Sequence, residues 1–401
     1  MRIVIIGGSF GGLTAAFDLR RLLPRQNHEI LLISKERRFT FIPALPWVTM
    51  GQKNIDDISF DLDKPLRSKG IGFIEATVTR IDPVKKCVHA MGESYDYDYL
   101  VIATGHRSAN EAVPGLGPFD GPGHSLMSAP EAEEARDKWA AFLRDPGPMV
   151  IGCAPGASCL GPAYEFLFEA HHALKKRSLC HKVPITFLTP EPALGHFGVG
   201  GFGNIRQYLE GELEKRDIRY HTSAAISNIS EEAVKTLEGQ TFESRFSMII
   251  PPLAGVRAIT DSPDLGNPKG FIPVDAHYRH MQFDGIYVVG VAVALPPVED
   301  TPVPVNFPKT AHMTEQMAKI AARNIAADIL GGEKVTDQLM VECIMDMGDT
   351  AVHMVADPVR PPRNVSTLSM GRRWLWAKHF FAGYYLWKIR HGTTRTPKWV
   401  W

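Results

Sequence analysis

The chain opens on a strand that runs straight into a glycine cluster. Arg2-Ile-Val-Ile-Ile is a short apolar run suited to a buried parallel strand, and Gly7, Gly8, Ser9, Phe10, Gly11 and Gly12 follow it. A helical pattern then continues to Leu23, where Pro24 stops it. Strand, tight turn and helix leave backbone N–H groups and the positive end of a helix pointing at one spot, a natural seat for a pyrophosphate. Residues 28–34 read as the next strand. Two details depart from the usual fingerprint. Ser9 stands at the central glycine, and Ser34, with Glu36 two residues on, stands where an acid usually meets a ribose.

Two later segments complete the pattern. Residues 97–105 end in Ala103, Thr104 and Gly105, small residues that let backbone approach a cofactor. Residues 285–291 form a second apolar strand ending at Gly290 and Val291, with Val291 where an aspartate commonly meets a ribitol. The order of the three motifs points to FAD. The expected fold is α/β, with two Rossmann-like dinucleotide-binding domains and a C-terminal amphipathic helical region. The FAD domain takes residues 1–110 and 265–335, a second, degenerate NAD-type domain takes 111–264, and residues 336–401 form the C-terminal region. A chain of 401 residues is long enough for this division.

The second unit is built differently. A strand at 148–152 enters a turn whose glycines fall at 152, 156 and 161, interrupted by Pro155, Cys159 and Pro162. The next strand, 184–189, ends with no arginine cluster for a 2′-phosphate and no ribose-binding acid before Glu191. This unit is expected to keep a nicotinamide-type fold without nicotinamide.

Charge and cysteine usage exclude other classes. Net charge is zero, so bulk electrostatics give no nucleic-acid binder. Five cysteines without small-domain spacing are not a secreted disulfide framework. No signal peptide and no spanning helix are expected. After Asp357 there is no acid, whereas Arg360, Arg363, Arg372, Arg373, Lys378, Lys388, Arg390, Arg395 and Lys398 are basic. Residues 371–390 read as a helix with Trp376, Phe380, Tyr384 and Trp387 on one face. Aromatics and cations together suit a bilayer interface, so a membrane-lipid partner and a peripheral (monotopic) place on the cytoplasmic or inner membrane are expected. A homo-oligomer is compatible with this.

Several segments together resemble the sulfide:quinone oxidoreductases of the disulfide-oxidoreductase superfamily. They are residues 39–48 with Pro43 and Trp47, residues 156–165 around Cys159, the Gly195–Gly198 loop, the proline-rich 296–304 with Pro308-Lys309-Thr310, and residues 343–349 after Cys343. The resemblance spans nearly the whole chain in order. It implies sulfide as substrate and membrane quinone as electron acceptor. It makes Cys159 and Cys343 the redox pair, with Cys343 facing the flavin and Cys159 carrying sulfur. Glu165 and His196 become candidate bases, and Lys309 a cation toward the flavin N1 and C2 oxygen. Gly7, Gly8, Ser9, Gly11, Gly12, Ser34, Lys35, Pro43, Ala103, Thr104, Gly105, Gly290, Val291 and Lys309 would hold FAD. Ile344 and Tyr385 would wall the quinone. Ile344 replaces an aromatic found in some members, and a third cysteine expected near residues 125–128 is missing. Two alternatives stay open: the flavin subunit of a flavocytochrome c-type sulfide dehydrogenase, and a type II NADH:quinone oxidoreductase. No cysteine lies between Ile33 and Lys86 to tether a flavin as in the first.

Overall fold

The computed structural model describes residues 1–117, 119 and 121–395; Lys398 therefore lies outside the described residues. Two five-stranded parallel sheets dominate. The first has the order Ile286–Val288, Tyr99–Ile102, Arg2–Ile6, Glu29–Ser34, Gly72–Glu75. Its central strand is buried because both neighbours pair with it, Ile3 with Ile30 and with Tyr99. That is why Arg2–Ile6 reads as an unbroken apolar run rather than an alternation. The strand from residue 286 joins this sheet across nearly two hundred intervening residues.

The second sheet has the order Gly123–His124, Phe246–Ile250, Met149–Cys153, Ile185–Leu188, Arg219–His221. All the pairs in it are parallel. Helix Phe10–Leu22 follows the first glycine turn, and helix Gly161–Lys176 follows the second. Helix Ala311–Leu330 packs on Phe10–Leu22; Thr310 caps it, accepting from the Met313 N–H, and Gly331 at φ +77 ends it.

The C-terminal region begins with an antiparallel three-stranded sheet, Val341–Asp346, Ala351–Asp357 and Val365–Met370. Helix Arg372–Arg390 then lies against its first two strands. The aromatic stripe faces outward: Trp376, Phe380 and Trp387 are 74%, 58% and 52% exposed. Among the described residues no helix is long and apolar enough to cross a membrane.

The opposite face corrects the sequence reading of the tail. Lys378 and Lys388 are buried rather than lipid-facing. Lys378 contacts Glu165, and Lys388 sits 3.0 Å from Glu315. Two of the basic residues are therefore internal struts that clamp the helix to both domains.

Candidate functional site

The first glycine turn forms a tight cradle. A Cβ on Gly7, whose φ is +108, would lie 2.2 Å from the Ala103 carbonyl oxygen. One on Gly12 would lie 1.8 Å from the Gly7 oxygen. A Cβ on Gly11 would crowd Val289 and Thr314, so helix and sheet touch closely here. Ser9 precedes helix Phe10–Leu22 without a side-chain cap, so the first-turn amides keep no protein partner from Ser9. The Gly8 N–H donates to Ser34 Oγ at 3.2 Å, which places Ser34 at the edge of the turn. Thr104 Oγ1 is buried without a hydrogen-bond partner, a costly state unless a ligand supplies one. Gly105 and Gly290 take φ +70 and +72. An unpartnered hydroxyl, uncapped amides and a cradle that any Cβ would fill fit the FAD expected from the sequence. Lys35 is solvent-exposed and pairs with Glu36 at 3.6 Å, and Pro43 is half-buried in a short 3₁₀ turn.

Beyond the cradle, a cavity of about 1200 Å³ runs between the two α/β units. Val291, Lys309, Phe271, Gly156, Ser158 and Asn306 line part of it. The Lys309 ammonium donates to the carbonyl oxygens of Val291 and Val293, at 2.9 and 2.7 Å, and lies over the Phe271 ring. Burial pulls its pKa down to about 8. His106, missed in the sequence reading, sits close enough to feel that charge. Burial, then Lys309, lowers its pKa to about 4, so it is neutral. Its position directly after the Ala103-Thr104-Gly105 motif was the available signal.

The second turn is closed. The Gly156 N–H donates to the Pro304 carbonyl at 2.6 Å, Asn306 Nδ2 donates to the Gly156 carbonyl at 2.7 Å, and the Asn306 N–H donates to the Ala157 carbonyl. The proline-rich segment thus takes the Gly156 N–H, a donor that a phosphate would need, and covers the turn. Glu191 is turned inward and fully buried. It accepts from Tyr164 Oη, Thr189 Oγ1 and the Phe197 N–H at 2.6–2.7 Å. It cannot reach a ribose.

This closed turn carries Cys159, in the loop just before helix Gly161–Lys176. Cys343 arrives on strand Val341–Asp346. Both are free thiols and half-buried. Burial raises Cys159 to about 11 and Cys343 to about 12; Cys159 and Glu342 push Cys343 further in the same direction, so the two sulfurs lie within electrostatic reach of each other. Cys153, at the end of strand Met149–Cys153, also feels Cys159.

Three of the residues given roles are engaged by neighbouring groups. Glu165 lies against Lys378 and accepts the Asp346 N–H at 2.8 Å, which ties its carboxylate to the C-terminal region. His196 uses both ring nitrogens: Nε2 meets Glu299 at 2.7 Å and Nδ1 accepts from the Gly198 N–H. It fastens the glycine loop to the proline-rich segment. Tyr385 is 2% exposed, donates to Glu315 at 2.6 Å, and packs its ring against Phe10, Phe39 and Phe41. It is core, not an open wall. Phe381, one turn earlier and partly buried beside Phe41, presents the more accessible ring. Ile344 is half-buried on its strand.

The family of pyridine nucleotide-disulphide oxidoreductases matches residues 1–318. The sulfide-quinone reductase of Aquifex aeolicus is 39% identical over 97% of this chain and 91% of that protein. The chain belongs to the sulfide:quinone oxidoreductase family. The crystal structure of the A. aeolicus sulfide:quinone oxidoreductase superposes with a TM-score of 0.95 at 37% identity, covering 99% of this chain and 93% of that one. A mitochondrial sulfide:quinone oxidoreductase of Dictyostelium discoideum is 25% identical over 82% of this chain and 71% of that protein. A type II NADH:quinone oxidoreductase of Staphylococcus aureus is also 25% identical, over 84% of each.

Proposed function

We propose that this chain is a peripheral, FAD-dependent sulfide:quinone oxidoreductase that oxidises sulfide to persulfide or polysulfide sulfur on Cys159 and Cys343. The observation that carries the reading is the exchange made at the second turn. The place where a nicotinamide would dock is laced to the proline-rich segment, and two thiols stand there instead.

A Cys159–Cys343 disulfide would accept HS⁻. One S–S bond forms and another breaks, leaving a persulfide on one cysteine and a thiolate on the other. Bound FAD would take the electron pair from sulfur and hand it to quinone. The surroundings favour that transfer. A thiolate at a site that raises the Cys343 thiol to about 12 is an electron-rich and poorly accommodated anion. Cys343 is the residue we assign to the flavin side, and Cys159, in the loop, the one that carries growing sulfur. The Gly7–Gly12 cradle, Ser34 and Thr104 would hold the dinucleotide end of the cofactor. Val291 and Lys309 would serve its ring end, where the buried ammonium would oppose negative charge.

The exposed stripe of Trp376, Phe380 and Trp387 supports placement on a bilayer, with Arg372, Arg373 and Arg390 supplying cations. Ile344, on the strand packed against that helix, and Phe381, on the helix itself, are the residues we assign to the quinone pocket. The test is anaerobic addition of sulfide to the wild-type protein and to Cys343→Ser, followed by a short-chain ubiquinone, with the flavin absorbance as readout. Bleaching in the wild type alone, reversed by the quinone, is expected. Bleaching by NADH but not by sulfide would overturn the assignment.

A further inference from the structure

Strand Val341–Asp346 separates two chemistries. Successive side chains of a strand point to opposite faces. Cys343 and Met345 therefore share one face, and Glu342, Ile344 and Asp346 share the other. In the paired strand His353 stands directly opposite Ile344, so it projects on the face of Glu342 and Ile344. The sulfur is on one side of the strand. On the other, an acid and an imidazole flank the residue assigned to the quinone.

The two groups are in contact. His353 Nε2 and Glu342 Oε1 are 2.6 Å apart. The imidazole is stacked on the Trp374 indole, with centroids 4.1 Å apart and planes at 18°. Trp374 is itself fixed by Nε1 donating to Ser369 Oγ at 3.1 Å. The side chains of His353 and Glu342 are 14% and 15% exposed, enough to exchange a proton with water and too little to be an ordinary surface pair. Other charged groups face the pair from neighbouring elements. Arg373 lies over the Trp374 ring, and His312, on helix Ala311–Leu330, feels the Glu342 charge.

Stoichiometry gives this pair a task. Quinone takes up two electrons and two protons to become quinol. Re-oxidation of a two-electron-reduced flavin at neutral pH releases two electrons and one proton. One proton must come through the protein. We propose that the Glu342–His353 pair delivers it to a quinone oxygen lying against Ile344. The N–H or O–H bond holding the proton in the pair breaks, an O–H bond forms on the quinone, and water at the exposed rim of the helix recharges the imidazole. This rests on the quinone reading given above.

The two half-reactions separate the proposal from that reading. In His353→Gln, bleaching by sulfide is expected to stay within about twofold of wild type, which also reports that the variant folds and holds flavin; in Glu342→Gln, whose lost charge acts on Cys343, re-oxidation is read on flavin bleached beforehand with dithionite. Re-oxidation by a short-chain ubiquinone is expected to slow by about 10²-fold, the usual weight of a positioned proton donor. In wild type its rate should fall with rising pH, and that dependence should disappear in His353→Gln. A second readout needs no turnover. The ring resonance of His353 in the oxidised holoenzyme, assigned by its loss in His353→Gln, should shift when the ubiquinone is added. Re-oxidation unchanged in both variants, or a His353 resonance indifferent to ubiquinone, would overturn the proposal. Failure of sulfide to bleach even the wild type would instead overturn the sulfide:quinone reading itself.

Discussion

The two glycine turns of this chain begin alike and end in opposite states. Each follows the central strand of a parallel sheet and leads into a helix. The first keeps its amides free of side-chain caps, with an unpartnered Thr104 hydroxyl nearby. The second has given the Gly156 N–H to Pro304 and the carbonyls of Gly156 and Ala157 to Asn306. Strand-turn-helix geometry is therefore not in itself a nucleotide site; what decides is whether the backbone groups are still unpaired. Closing one turn leaves a fold intended for two dinucleotides with a single one, and frees the other position for sulfur.

The largest expected effect tests the two turns by the same substitution. Gly7→Ala drives a methyl onto the Ala103 carbonyl at 2.2 Å and should give protein purified without flavin. Gly156→Ala meets only Pro252 at 3.6 Å and Asn306 Nδ2 at 3.7 Å, both ordinary van der Waals contacts. It should keep its flavin and lose only about 1–2 kcal/mol for the left-handed backbone. Flavin-to-protein absorbance ratios and a urea midpoint read both. Flavin retained in Gly7→Ala would break the comparison. Next in size is the choice of reductant. With its second turn closed and Glu191 turned inward, the enzyme should be bleached by NADH at least about 10³-fold more slowly than by sulfide, because the polar groups of the cofactor would find no partners. Comparable rates measured by stopped flow would mean the lacing opens readily in solution.

The strands, turns and linear motifs were legible because they are local. Arg2–Ile6 and its glycines lie within a dozen residues, and apolar runs announce buried parallel strands. Roles that depend on what packs against a residue were not. Lys378 and Lys388 looked like lipid-facing cations, yet their partners Glu165 and Glu315 are supplied by other elements. Part of the signal was present: Lys378, Ala382, Tyr385 and Ile389 are spaced to share the face opposite the aromatic stripe. His196 and Glu165 had the right chemistry for bases, but nothing in the sequence told that Glu299 and Lys378 would occupy them. The cysteine pair was found through ordered motifs spanning the chain, not through spacing.

A smaller effect concerns the thiols that replaced the nicotinamide. If burial raises Cys159 to about 11, its thiolate fraction in the reduced enzyme is small at pH 8 and keeps growing well past pH 9. The rate of iodoacetamide labelling at Cys159, followed by mass spectrometry, should rise about tenfold per pH unit from 8 to 10 and level off only near 11. A plateau at pH 9 would mean that water reaches the sulfur freely and that the pocket is not the apolar one described.

The finest test asks what keeps the second turn from regaining a nucleotide. Glu191 ties together Tyr164, Thr189 and the Phe197 amide, and Tyr164 in turn accepts from the Gly195 N–H. Glu191→Leu removes the acceptor from three buried donors and should cost about 3 kcal/mol in urea denaturation. Glu191→Gln is different, because both hydroxyls can also accept a hydrogen bond and the amide oxygen still serves Phe197. Burial raises the Glu191 pKa above 4.5, its hydrogen bonds pulling the other way. The folded protein then holds this proton to higher pH than the unfolded chain does, so this group's contribution to stability is full below about 4.5 and is lost as pH rises through the folded value. Glu191→Gln carries no such term. Its stability relative to wild type should improve as pH climbs from 4.5 toward neutrality. A difference that stays flat across that window would mean the carboxylate is fully compensated by its three donors, and that the turn is shut by hydrogen bonding alone, with no cost from a buried charge.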